Sequence, residues 1–152
     1  MAFQNITPTK LGQAAIGVGV TTLYTVPAST RTFIKDLDIA NTTAGILNVR
    51  VFLVPSAGAA ATTNALFYDV AVAANSTLQW LGTQILNAGD TIQVQASGAG
   101  LTITASGAEA IYWRSISFLL LLVVLSIQST DKSESLSSLP LMLALRQQTQ
   151  QY

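Results

Sequence analysis

The chain has no cysteine and no histidine. The first absence excludes a disulfide scaffold and a thiolate metal site. The second removes the commonest general base and the commonest metal ligand together. Charge is also scarce. Only 9% of the 152 residues are Asp, Glu, Lys or Arg, and the net charge is zero, against about 25% charged residues in an average soluble protein. Phosphate binding needs clustered Lys or Arg, yet residues 1–111 hold only Lys10, Arg31, Lys35 and Arg50. Asp36 and Asp38 follow Lys35 and cancel its field, so a nucleic-acid partner is disfavoured. The opening Met1-Ala2-Phe3-Gln4-Asn5 has neither a basic nor an apolar stretch of the kind a secretory signal needs. No apolar run reaches spanning length. Residues 116–127 come nearest, interrupted by Ser117 and Ser126 and bounded by Arg114 and a polar stretch, whereas a membrane helix needs about 20 such residues. A membrane partner is therefore disfavoured as well.

What is present is Ala, Thr, Ser, Asn and Gln in abundance. A surface of such residues with zero net charge has little repulsion to keep copies apart. That composition suits a protein working inside an assembly, although a soluble monomer kept in solution by uncharged polar groups stays open.

Composition changes near Ile111. All ten glycines lie before it, and beyond it a single alanine, Ala144, remains while Leu and Ser take over. Three parts follow: residues 1–20 as an extended lead-in with one short strand near 14–18, residues 21–110 as the folded β-domain, and residues 111–152 as an apolar C-terminal segment. For that segment three readings stay open: a short helix docked on a partner or on the domain, a membrane anchor, or a non-native tail such as a shifted reading frame would produce.

The domain reads as strands throughout. Residues 21–26 are β-branched and aromatic, and Pro27 stops them. Residues 31–40 alternate, placing Phe33, Lys35, Leu37 and Ile39 on a core face and Ile34, Asp36 and Asp38 on the other. Residues 46–54 set Leu47, Val49, Val51 and Leu53 against the core, with Asn48 and Arg50 outward. Further strands are expected at 66–72, 76–81, 91–96 and 101–105, with a surface loop at 56–64. Seven or eight short strands with turn signals roughly every 8–12 residues predict an all-β antiparallel sandwich, jelly-roll-like or Greek-key.

Chemistry is hard to find. Without His or Cys, the ionisable candidates are Asp36, Asp38, Asp69, Asp90 and Glu109. Asp36 and Asp38 share a strand face, but no calcium-loop pattern accompanies them, and a solvated outer face is the plainer reading. Asp90, after Gly89, suits a turn in which its carboxylate caps backbone N–H groups. Trp80 reads as a core or interface residue, with an aromatic sugar platform as the alternative. Gly17-Val18-Gly19 and Gly98-Ala99-Gly100 lack the Lys-Ser/Thr of a phosphate loop. The expectation is no catalytic, cofactor-binding or metal-binding residue, and no enzyme.

Five phrases stand in order along the chain: Leu23-Tyr24-Thr25-Val26-Pro27-Ala28, Ile39-Ala40-Asn41-Thr42-Thr43, Val49-Arg50-Val51-Phe52-Leu53-Val54-Pro55, Tyr68-Asp69-Val70, and Leu86-Asn87-Ala88-Gly89-Asp90-Thr91-Ile92-Gln93-Val94. From about residue 10 to residue 110 the chain resembles a family of small all-β virion proteins encoded by tailed bacteriophages and prophages. The resemblance stops before the C-terminal segment. It implies a structural component of the particle: head decoration, head fibre, or a tail accessory. It implies other capsid or tail proteins as partners and a homo-oligomer, for which a trimer is a plausible form. It brings no catalytic residues. A glycan- or cell-surface-binding sandwich module and a membrane-tethered β-domain are the alternatives.

Overall fold

The computed structural model describes residues 3–112. The readings of residues 113–152 as helix, anchor or non-native tail lie outside the described residues. Eight strands run in order: β1 (Phe3–Ile16), β2 (Thr21–Thr25), β3 (Thr30–Asn41), β4 (Leu47–Val54), β5 (Ala65–Val72), β6 (Thr77–Leu86), β7 (Thr91–Ala96) and β8 (Leu101–Tyr112). A single turn of 3₁₀ helix, Thr62–Asn64, precedes β5.

The strands form two four-stranded antiparallel sheets, ordered β1-β8-β3-β6 and β2-β7-β4-β5. Successive strands alternate between the sheets, except that β4 and β5 pair within the second sheet, in the pattern of two interleaved Greek keys. This order makes the sandwich a jelly roll. Between the sheets lie Ile34, Leu37, Ile39, Val49, Val51, Ile92, Val94, Leu101 and Ile103, all buried. Truncating any of the leucines or isoleucines among them to alanine should cost about 2–5 kcal/mol.

The expected face of the fourth strand holds. Leu47, Val49, Val51 and Leu53 line the core, while Arg50 points away. The third strand differs. Thr30, Thr32 and Ile34 face inward before Lys35, and Leu37, Ile39 and Asn41 do so after it. Phe33 therefore lies on the outer face, Ile34 in the core, and Lys35 is exposed. The cause is a bulge. Ile34 pairs with Gly107 and Asp36 with Ser106, so Lys35 is an extra residue opposite β8. One inserted residue reverses the inward–outward phase of everything that follows. The irregularity crosses the whole first sheet: Leu11 is the extra residue of β1 at the same level, and β6 holds an extra residue between Leu81 and Gln84.

Three strands run longer than expected. The first is a fourteen-residue strand rather than a short one near 14–18. It is an edge strand on which only Leu11 and Ile16 are buried among the residues whose side chains are described, so no period-two signal marks it. Pro8 is tolerated there because an edge strand leaves one row of N–H groups unpaired. β6 continues past Gly82, over which the Trp80 ring lies: a Cβ on Gly82 would come within 2.4 Å of that ring. β8 continues past Gly107 through Tyr112, across the composition boundary. Gly107 is a close-approach glycine rather than a turn glycine. A Cβ there would sit 2.0 Å from the Phe33 carbonyl oxygen.

Turns knit the ends. Asp90 accepts the backbone N–H of Ser56 (2.9 Å) on one carboxylate oxygen and that of Asn87 (2.8 Å) on the other, as its place after Gly89 predicts. Gly89 adopts φ +86°, a region that favours glycine, and donates to the Val26 carbonyl at 3.0 Å. At the opposite end buried Asn41 donates to the carbonyls of Gly45 (2.8 Å) and Val72 (3.0 Å) and accepts from the Thr43 N–H (3.0 Å).

Candidate functional site

The outer face of the second sheet carries a shallow concavity of about 250 Å³ lined by Val18, Asn48, Arg50, Asp69, Gln95, Ala96 and Ser97. Its geometry follows from the register. Arg50 on β4 stands opposite Gln95 on β7. On the other side β5 bulges, since Val49 pairs with Val70 but Val51 with Phe67. Asp69 sits in that bulge at φ +54°, which turns its carboxylate toward Arg50.

Three of the five guanidinium N–H groups are engaged by neighbours. Nε donates to Asp69 Oδ1 at 2.7 Å and an Nη to Oδ2 at 2.8 Å. The other Nη donates to Gln95 Oε1 at 3.3 Å, and Gln95 Nε2 donates onward to the Val18 carbonyl at 2.8 Å. The Arg50 guanidinium also lies 4.5 Å from the centre of the Tyr68 ring, a cation–π distance. Tyr68 meets Phe52 edge-on at 6.5 Å. The hydrogen bonds from Arg50 hold the Asp69 carboxyl below its ordinary range, and the same bonds hold Arg50 above its own. An ionised Asp69 locked in a bidentate pair is no general base. The concavity offers fixed polar groups, namely the Asn48 amide, the Ser97 hydroxyl and the remaining guanidinium N–H groups, to a small polar ligand.

A second polar cluster lies between the sheets. The Tyr24 hydroxyl on β2 bonds Thr32 Oγ1 at 2.9 Å and donates to Glu109 on β8. Burial, and then the Glu109 carboxylate, push the Tyr24 phenol up to about 12. This cluster joins the two sheets at one end of the sandwich and opens onto no described concavity.

The residues singled out from the sequence are dispersed. Asp36 and Asp38 do share the outer face of the first sheet. Asp69 belongs to the concavity, Asp90 to a turn, Glu109 to the inter-sheet cluster. Trp80 packs against the core, and the exposed aromatic beside the Arg50 guanidinium is Tyr68, at 48% exposure. Sequence reasoning missed Tyr68 and the pairing of Arg50 with Asp69, because a bulge in β5 brings them together. Among the described residues no three His, Cys, Asp or Glu side chains converge as a metal site, and no helix is long and apolar enough to cross a membrane.

No family model matches the chain, and no curated protein matches it. Among solved structures the chain is similar to VP2 of the infectious bursal disease virus subviral particle, at 13% identity and a TM-score of 0.45, over 71% of this chain and 32% of that one. The T13 particle of the same virus gives 12% identity and a TM-score of 0.42, over 71% and 31%. Its Gx strain gives 14% and 0.39, over 70% and 32%. The chain thus spans about a third of the length of these structures. Likenesses this distant carry no argument about role, and the jelly-roll assignment rests on the strand order alone.

Proposed function

We propose that the chain is a non-enzymatic structural subunit of a virion, of the capsid-decoration, head-fibre or tail-accessory kind that tailed bacteriophages carry. It acts by self-assembly and by contacts with other virion proteins. The observation that carries this reading is the outer face of the first sheet, where Ile6, Leu81 and Ile85 stand 58%, 70% and 56% exposed. Large apolar side chains grouped on one sheet face mark an interaction surface. Low charge, the jelly-roll architecture that capsid proteins share with lectins, and the five ordered phrases of the sequence agree with it. A fold alone assigns no function, so the test is made on particles. Tryptic mass spectrometry of purified phage-like particles should show the peptide of residues 36–50 at high copy, and a peptide of residues 133–146 beside it would make the C-terminal segment part of the virion protein. Absence of the 36–50 peptide from well-sampled particles would sink the reading.

A second reading, a glycan-binding module, is favoured by the Arg50 concavity and by the Tyr68 ring packed on the Arg50 guanidinium. Calorimetric titration with host polysaccharide tests it. Heat that disappears in Arg50→Ala supports it, and no heat at millimolar sugar removes it.

A further inference from the structure

The Arg50 concavity is built of fixed parts. One wall is the turn between β1 and β2, pinned twice to β7. The Ala96 N–H donates to the Gly17 carbonyl at 2.9 Å, and Gln95 Nε2 donates to the Val18 carbonyl at 2.8 Å. The Val18 side chain nevertheless stands 64% exposed, on the lining of the concavity. Ser97 is tied to β4 on both sides: its Oγ accepts the Asn48 N–H at 2.9 Å, and its own N–H donates to the Asn48 carbonyl at 2.9 Å. Arg50 is held by Asp69, by Gln95 and by the Tyr68 ring. Groups fixed before a ligand arrives have little freedom to lose on binding. The face is stable without a ligand, so a ligand can enter and leave it.

These bonds leave a mixed set of donors and acceptors. Arg50 keeps one N–H on each Nη. Each Asp69 oxygen accepts once from Arg50 and has a further lone pair. Gln95 Nε2 keeps its second N–H, and the Ser97 O–H can turn outward. The Asn48 amide lines the same space. Donors and a strong acceptor thus stand side by side, bordered by the Val18 methyl groups.

We infer that the concavity binds one ring of a neutral sugar through two adjacent hydroxyls, one donating to Asp69 and its neighbour accepting from Arg50, with a C–H face of the ring against Val18. A hydroxyl is both donor and acceptor, so adjacent hydroxyls suit a surface where a carboxylate and a guanidinium are neighbours. Size agrees. The volume of about 250 Å³ falls just below the roughly 300–1,000 Å³ of pockets for drug-sized ligands, enough for a ring and too little for a chain. Charge agrees as well. Asp69 cancels Arg50, and the other cations among the described residues, Lys10, Arg31 and Lys35, lie on β1 and β3 of the first sheet. A sugar acid or a phosphate would reach the remaining guanidinium N–H groups only beside the Asp69 carboxylate, and like charges so placed oppose binding.

The inference rests on the second reading above, a glycan-binding module, and names its ligand class. Saturation-transfer NMR on the full chain tests it, with the methyl glycosides of glucose, galactose and mannose as probes, each beside its uronic-acid counterpart. At least one neutral glycoside should bind with a dissociation constant of about 1 mM, and its uronic-acid counterpart roughly tenfold more weakly. Arg50→Ala and Asp69→Asn should each weaken the neutral sugar roughly tenfold, with unchanged circular dichroism. Asp69→Asn should also bring the uronic acid level with the neutral sugar or ahead of it, an inversion that a purely structural role for Asp69 would not produce. Gln93→Ala, outside the concavity, should change nothing. No neutral glycoside bound at tens of millimolar, a uronic acid preferred by the wild type, or binding indifferent to Arg50→Ala overturns the inference. The two readings fail separately. Polysaccharide heat that Arg50→Ala removes, with no neutral glycoside bound or with a uronic acid preferred, leaves the glycan reading and removes the neutral ring. No polysaccharide heat and no glycoside bound removes both.

Discussion

On the first sheet the outward side chains include Ile6, Pro8, Phe33, Leu81, Ile85 and Ala108, while on the second they include Arg50, Tyr68, Asp69, Gln93 and Gln95. Both sheets feed the same core, and the inner layer is built alike. Their outer layers are finished differently. The polar groups of the second sheet satisfy one another through the Arg50–Asp69–Gln95 chain, so that face is complete without a partner. On the outer face of the first sheet Ile6, Leu81 and Ile85 instead stand largely exposed. Where a module meets its surroundings is therefore better judged from which surface lacks its own partners than from which holds more functional groups.

The backbones differ too, and the largest predicted effect tests that difference. The first sheet is bulged across its width and depends on Gly107 lying against the Phe33 carbonyl. Gly107→Val should destabilise the fold by about 3 kcal/mol or more, because a backbone atom cannot step aside. Urea denaturation followed by tryptophan fluorescence measures it, and an unchanged midpoint would show that the sheet tolerates separation there.

Next in size is the link between the sheets. An unfolded tyrosine ionises near 10, whereas Tyr24 in the fold is pushed up to about 12. A raised value means the fold prefers the neutral phenol. Its contribution is intact below about pH 10 and is lost as pH climbs through about 12. Tyr24→Phe should abolish that loss, so the variant's urea midpoint should fall less steeply than wild type's over this window. Parallel curves would detach Tyr24 from alkaline stability.

The smallest effect belongs to the finished polar face. Asp69 is held below its ordinary range by Arg50. A depressed carboxylate contributes stability above its unfolded value, near 4, and loses it as pH falls through the lower folded value. Asp69→Asn should make the acid limb of the stability curve shallower and leave stability near neutral pH almost unchanged, since the pair is solvent-exposed. A large loss at neutral pH would mean the second sheet's outer face holds the fold together.

How much of this was legible in the sequence divides by strand. The fourth strand alternates cleanly between one apolar and one polar face, and its core face was readable from Leu47 to Leu53. Asp90 was readable because Gly-Asp after an apolar run is turn chemistry. The third strand misled because Lys35 is an inserted residue, and nothing in the letters around it marks the change of phase. β1 was underread because an edge strand that buries only Leu11 and Ile16 among its described side chains has no periodicity to read. The Arg50 concavity stayed hidden for the same reason as the third strand: a bulge, at Asp69, makes the contact. What the alternation rule cannot see are the positions where a sheet departs from it, and here both candidate surfaces are shaped by such positions.

Phe3 and Tyr112 are cross-strand partners. The described sandwich therefore begins and ends at neighbouring points on one rim of one sheet, within about 5.5 Å of each other. Topologically it is a closed loop with a single seam. A unit of this kind can be spliced into a surface turn of another polypeptide without stretching its host, or opened elsewhere and rejoined at the seam.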